Sequence, residues 1–306
     1  MTEAAARPGV ATRPDKRPHG RRLSVGLVQL STVDGDQAGN LARGLALAEE
    51  AAMAGADLIC LPELWTGLGY SDDSFWRQIA EPIPGPTSEA LSAVARRHGC
   101  HITGSWYEAG GDGRVYNTAP MIGPDGAIIG RYRKSHLFDV PQRTDIPPGI
   151  IESARVTPGD ELVVLDTALG RIGMTICVDL RFPELYRAIA LQNADAIVCL
   201  SAFLAPRADH WEFLLRARAT DNQVWLIASG QTGREPRSGI GFVGRSMIVD
   251  PWGVVTATAS DEPGITLQTI DLDYVATVRQ RWDLAQQRRP ALYAGVLAPP
   301  ASGRPD

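Results

Sequence analysis

No run in this 306-residue chain approaches the ~18 uninterrupted apolar residues that a membrane-crossing helix needs, so no membrane span is expected. The first 22 residues, rich in Ala, Pro and Arg, hold no apolar core segment. That excludes a secretory signal, and residues 1–22 read as a mobile tail. Cysteine is scarce: only Cys60, Cys100, Cys177 and Cys199 are present, with no Cys-x-x-Cys pair and no histidine at zinc-ligand spacing. A zinc site and a redox pair are therefore not indicated, and a reducing cytoplasm is the natural compartment. Positive charge is not in excess either, since 30 Lys and Arg stand against 35 Asp and Glu, a net charge of -5. Nucleic acid and anionic membranes both need a basic face, so neither is an expected partner.

What is present is enough apolar material for a large core, 44% of residues against 21% charged. Leu23-Ser-Val-Gly-Leu-Val-Gln-Leu30 reads as a buried strand. The Ala- and Leu-rich stretch from Asn40 to Ala54 then reads as an amphipathic helix leading to a strand over Asp57 to Leu61. The same β-α-β pattern recurs downstream. A strand over Arg171 to Cys177 precedes a helix over about Pro183 to Leu191, opened by proline in its first turn, and a strand over Ala194 to Leu200. Two such halves imply two sheets. Thr118 to Lys134 reads as a hairpin turning on Pro124-Asp-Gly126, and Ser246 to Ala257 repeats that logic.

Three of these strands end on a residue with chemistry. Cys177 closes an apolar run where the chain turns toward a helix, a corner from which a thiol can project while the following amides face an oxyanion. Taken alone, Cys177 reads more readily as one more small core residue. Glu63 stands directly behind Leu58-Ile-Cys-Leu-Pro62, a strand with no polar face, so a surface role fits it poorly. Lys134 ends Arg131-Tyr-Arg-Lys134, which by itself reads as an ordinary solvated lysine. Gly239-Ile-Gly-Phe-Val-Gly244 matches a dinucleotide-binding fingerprint in form, but it leads into a strand rather than a helix, so no pyrophosphate cradle is expected.

Together the segments Asp57 to Trp65, Arg131 to Phe138 and Arg171 to Glu184 resemble the three motifs of the nitrilase, or carbon-nitrogen hydrolase, superfamily, and the resemblance runs from about Leu23 to Tyr293. His136 to Pro141, His210 to Ala219, Asp250-Pro-Trp-Gly253 and Arg288 to Tyr293 resemble most the branch of omega-amidase and deaminated glutathione amidase. The resemblance implies an α/β fold, a four-layer α-β-β-α sandwich in a single domain over 23–297, with a loose tail over 298–306 and subunits paired into a homodimer or higher homo-oligomer. It implies a hydrolase of small amides that uses no metal or organic cofactor. Cys177 would be the nucleophile, Glu63 the acid/base, and Lys134 with the backbone N–H of Val178 the oxyanion donors. In this reading Lys134 also lowers the thiol pKa.

Glu152, in a proline-rich loop, matches a second glutamate that positions the lysine, against a reading as a loop carboxylate. Asp179, Arg181 and Glu184 are expected to form an ion-pair shell around the turn, and His136 to make structural hydrogen bonds. Arg207 is a candidate carboxylate contact or a solvated arginine. Phe203 and Trp65 are candidate pocket walls or core aromatics. N-carbamoyl amide hydrolysis and nitrile hydrolysis are rival activities, and a silent scaffold subunit is the alternative of a different class.

Overall fold

The computed structural model describes residues 20–69, 75–142 and 150–297. The first half runs β1 (Arg22–Gln29), α1 (Gln37–Met53), β2 (Leu58–Cys60), α2 (Phe75–Gln78), α3 (Pro86–His98) and β3 (His101–Thr103). It continues with β4 (Trp106–Ala109), β5 (Val115–Ile122) and β6 (Ile128–Arg133). The second half runs β7 (Val164–Asp166), β8 (Arg171–Ile176), α4 (Pro183–Leu191), β9 (Ala196–Ser201), α5 (Ala208–Asn222) and β10 (Trp225–Gly230). β11 (Thr232–Arg234), β12 (Gly241–Val243), β13 (Met247–Val249), β14 (Val255–Thr258), β15 (Gly264–Asp271), α6 (Tyr274–Arg281) and α7 (Pro290–Leu297) complete it.

Local chemistry sets these limits. The Asp36 carboxylate accepts the Gly39 N–H at 3.0 Å and caps α1. Pro86 opens α3 and Gly99, at φ 67°, closes it in the left-handed region. Pro183 opens α4 as the sequence predicts.

Two sheets result. Among the described residues the first has the order β15-β1-β2-β3-β5-β4, with β6 paired to β5, and the second β14-β13-β10-β9-β8-β7. In each, three central strands are parallel, β1-β2-β3 and β8-β9-β10, and the outer pairings are antiparallel.

Alternation along the strands sorts the side chains into layers. Leu58 and Cys60 of β2, with Met174, Ile176, Val198 and Leu200 of the opposing sheet, fill the space between sheets. Ile59 and Leu61 face the other way with Ala48, Ala51, Leu91 and Val94 of α1 and α3. Ile197, Cys199 and Leu226 meet Tyr186, Trp211 and Leu215 of α4 and α5 on the far side. This is the four-layer α-β-β-α sandwich.

The seam is also stitched by polar groups: Ser229 Oγ donates to the Val28 carbonyl at 2.7 Å and the Thr232 N–H to that of Leu30 at 3.0 Å. No helix among the described residues is long and apolar enough to cross a membrane.

One expectation changes and another holds. The tail was placed through residue 22, yet Arg22 begins β1, and Arg21 is ion-paired to Asp195 at 3.0 Å and Asp273 at 2.9 Å. Residues 1–19 and 298–306, the rest of both expected tails, lie outside the described residues. The glycine run 239–244 starts no helix, as expected: its Gly241–Val243 is β12, paired antiparallel to β11.

Candidate active site

The carboxyl ends of β2 and β6 in one sheet face those of β8 and β9 in the other, where ligands of parallel sheets generally lie. Glu63 follows β2, and its backbone is fixed from both sides: Leu64 N–H donates to Ser105 Oγ at 3.2 Å and Gln231 Nε2 to the Glu63 carbonyl at 2.7 Å. Leu64 is held at φ 48°, a left-handed turn that a branched side chain seldom takes.

The Glu63 side chain is buried, and both of its oxygens accept hydrogen bonds. Oε1 accepts from Lys134 Nζ at 2.8 Å and from Asn117 Nδ2 at 2.9 Å, while Oε2 accepts the Ala202 N–H at 2.8 Å. Lys134 follows β6 and is 2% exposed. Its ammonium also donates to Glu152 at 2.8 and 3.0 Å. Burial alone would lower the Lys134 pKa, but the Glu152 and Glu63 charges outweigh it and hold the ammonium well above the ordinary lysine value. Glu152 opens a short 3-10 turn, Glu152–Ala154, where its Oε2 accepts the Phe138 N–H at 2.7 Å. Burial raises its pKa despite Lys134.

Cys177 follows β8 at φ 48° and opens the 3-10 turn Cys177–Arg181. Strain of this kind, at a strand-to-helix corner, presents the sulfur to the cleft. The thiol and the Glu63 carboxylate line the same cleft, and the carboxylate charge bears on the thiol. Ser201 Oγ is near enough to ease its ionisation, though no partner of that hydroxyl meets hydrogen-bond geometry. Burial and the Glu63 charge push the thiol well above the ordinary cysteine value, and Lys134 only partly opposes them. Lys134 does lower the thiol pKa as expected, but burial and Glu63 outweigh it and the net shift is upward. The local charge is two carboxylates against one ammonium, while Cys177 keeps partial exposure at the cleft.

A cleft of about 440 Å³, mouth included, opens over these groups and is lined by Glu63, Lys134, Phe138, Cys177, Val178, Arg181, Ala202, Phe203, Leu204 and Arg207. The Val178 N–H lies in the first turn of its 3-10 helix, where the helix offers no acceptor. Of the expected binding residues, Val178, Phe203 and Arg207 line the cleft. Trp65 does not. It is fully buried, edge-on to Trp106 at 6.4 Å and packed against Gly44 of α1, because the left-handed Leu64 turns the chain away after Glu63.

The expected shell around the turn at Cys177 is also built differently. Asp179 Oδ2 accepts from the Ile176 N–H and Tyr132 Oη, both at 2.8 Å. Its Oδ1 meets the His136 N–H at 3.1 Å and His136 Nδ1 at 2.8 Å, so His136 makes the structural hydrogen bonds expected of it. Arg181 faces the cleft over the Phe203 ring at 5.2 Å, and Glu184 is exposed.

Sequence reasoning missed Asn117 and Ala202, and it placed Arg181 in the shell rather than in the cleft. The signal for Asn117 was an amide inside the apolar strand Val115–Ile122, a position that requires partners.

The chain was compared with known proteins. A family model described as carbon-nitrogen hydrolase matches residues 24–280. Omega-amidase NIT2 of Homo sapiens is 36% identical over 282 residues, covering 91% of this chain and 99% of that protein. The crystal structure of Saccharomyces cerevisiae Nit3, a member of branch 10 of the nitrilase superfamily, superposes with a TM-score of 0.77 at 31% identity, covering 88% of this chain and 97% of that one. A mutant of the amidase from Nesterenkonia sp. AN1, showing covalent addition of the acetamide moiety of fluoroacetamide at its active-site cysteine, superposes with a TM-score of 0.76 at 25% identity. That match covers 90% of this chain and 97% of the amidase.

Proposed function

Since this chain belongs to the carbon-nitrogen hydrolase family of the nitrilase superfamily and is a hydrolase of non-peptide C–N bonds, we propose that it cleaves small carboxylate-bearing amides with Cys177 as nucleophile. The observation that carries this reading is the Lys134 ammonium, 2.8 Å from both Glu63 and Glu152, in the cleft onto which Cys177 opens. Cys177 Sγ bonds to the amide carbon as Glu63 takes the thiol proton. The new oxyanion is met by Lys134 Nζ and the Val178 N–H. Loss of one such donor costs about 3 kcal/mol, a hundredfold or more in rate. Glu63 returns the proton to the nitrogen, the C–N bond breaks, and ammonia leaves. Water then attacks the thioester while Glu63 takes its proton. The C–S bond breaks, the carboxylic acid departs and the thiol is restored.

Arg181 and Arg207 give the cleft mouth a positive character suited to a carboxylate, and Phe138, Phe203 and Leu204 suit a short carbon chain. The curated relative acts as an omega-amidase by its name, which agrees with an amide at one end and an acid at the other. Residues 23–297 would form one catalytic domain. Free Cys60, Cys100, Cys177 and Cys199 fit a reducing cytoplasm, and exposed Phe213, Trp282 and Leu292 fit a homo-oligomer.

The test is an ammonia-release screen over ω-amides of 2-oxo acids, deaminated glutathione, N-carbamoyl amino acids, plain aliphatic amides and nitriles. Carboxylate-bearing amides should give the highest kcat/KM, and Cys177→Ala should remove release while leaving the melting temperature nearly unchanged. Fastest turnover on nitriles or carbamoyl compounds would replace the proposed substrate class. An inactive parent whose Cys177→Ala variant melts far lower would favour a scaffold.

A further inference from the structure

One residue outside the cleft touches three of the four groups that carry the proposed chemistry. Asn117 lies in β5, flanked by β4 and β6, with Tyr107 as its partner in β4, so its backbone has little freedom. Its carbonyl accepts the Lys134 N–H at 2.9 Å. Its Nδ2 donates to Glu63 Oε1 at 2.9 Å and to Glu152 Oε1 at 3.4 Å. The side chain is buried, and Oδ1 has no hydrogen-bond partner among the described residues. Exchanging the amide N and O would satisfy nothing, because it would press a carbonyl oxygen against two carboxylates. The orphaned oxygen is thus the consequence of aiming both N–H bonds at the acids, a local cost of the sort found at functional sites.

The geometry also settles which Glu63 oxygen is available. Oε1 already takes two N–H donors, from Asn117 and Lys134, whereas Oε2 takes only the Ala202 N–H. A carboxylate oxygen has two lone pairs in its plane, so Oε1 is saturated and Oε2 retains one.

We propose that Asn117 is a positioning residue for this reaction, tying Glu63 Oε1 and Glu152 to Lys134 so that Glu63 Oε2 alone exchanges the proton of the nucleophilic thiol. The proposal rests on the assignment of Cys177 and Glu63 made above. Asn117 touches no substrate in this scheme; it fixes the acid that does. A plain packing residue at this place would support melting temperature without governing how easily the thiol gives up its proton.

Asn117→Asp keeps the shape and replaces the donor with a negative charge, and Asn117→Ala removes both. The rate of Cys177 alkylation by iodoacetamide at pH 8, followed by intact mass, needs no amide substrate and reads proton loss from the thiol directly. A shift of one unit in proton affinity appears there as about tenfold. Asn117→Asp should alkylate about tenfold more slowly than the parent and Asn117→Ala less severely so, with melting temperatures within a few degrees of it. On the best amide, kcat should fall by at least tenfold while KM changes less than about threefold. Alkylation at the parental rate in both variants would overturn the proposal, as would a fall in kcat matched by an equal rise in KM. A parent that releases no ammonia from any amide would overturn the proposed function instead, and the alkylation rates would still decide the role of Asn117. Should Asn117→Asp not fold, Asn117→Ala and Asn117→Ser decide by the same measurement.

Discussion

Burial and the Glu63 charge raise the Cys177 pKa, so in the proposed reaction thiolate would form as the proton passes to a base during attack. The sign follows directly: with the folded pKa raised, the thiolate fraction is small at neutral pH and grows as pH rises. Alkylation of Cys177 by iodoacetamide should therefore accelerate across pH 6 to 9, and a plateau below pH 8 would show that Lys134 prevails after all. Peptide mapping after brief treatment should find Cys177 alone modified. Cys60, Cys100 and Cys199 are buried, and burial pushes Cys100 up to about 11 and Cys199 up to about 12. The residues on which the proposed chemistry rests were legible where an apolar strand ends on one charged or thiol side chain, as at Glu63, Lys134 and Cys177. Asn117 was not, because a mid-strand amide gains its meaning only from the carboxylates that neighbouring segments bring to it. Of the two readings of Trp65 the core one holds, because the left-handed Leu64 turns the chain after Glu63.

At the level of elements, the β-α-β halves were legible because burial on both faces leaves strands with no polar alternation, and capping residues mark the helix ends. The contact of α1 with the segment after β2 was not legible. It depends on Gly44, where a Cβ would lie 2.4 Å from Cε3 and Cζ3 of Trp65. That ring has no room to retreat, since Gly104 and Trp106 stand behind it. Gly44→Ala would gain about 1 kcal/mol of helix propensity but lose about 1–3 kcal/mol to overpacking. The rigid ring makes the loss the larger effect, so the melting temperature should fall by a few degrees. Turnover should fall as well, because Trp65 lies two residues from Glu63. A raised melting temperature would show that α1 shifts freely.

Across the whole molecule, buried carboxylates join distant segments. Glu108 accepts from Arg133 at 2.8 Å, Arg131 at 2.9 Å and Thr118 Oγ1 at 2.6 Å. Burial alone would raise its pKa, but the Arg133 and Thr118 hydrogen bonds carry it below the ordinary value. Glu235 and Asp273 are lowered against the same opposition, Glu235 by Ser238 and Asp273 by Arg21. For such groups the stabilisation is complete above the unfolded pKa, about 4, and is lost as pH falls through the folded value. Melting temperature should hold steady from pH 7 to about 5 and decline below about 4. Differential scanning calorimetry over that range checks this, and a decline that begins above pH 6 would contradict it.

Glu63 and Lys134 hang from one sheet while Cys177 and the Ala202 amide hang from the other, and no single sheet owns the chemistry. The working geometry is therefore a reading of how the two slabs are registered, much as a vernier reads the offset of two scales. A slip too small to unravel a strand already separates sulfur from acid, so catalytic competence is the first property this architecture surrenders as it loosens, well ahead of its secondary structure.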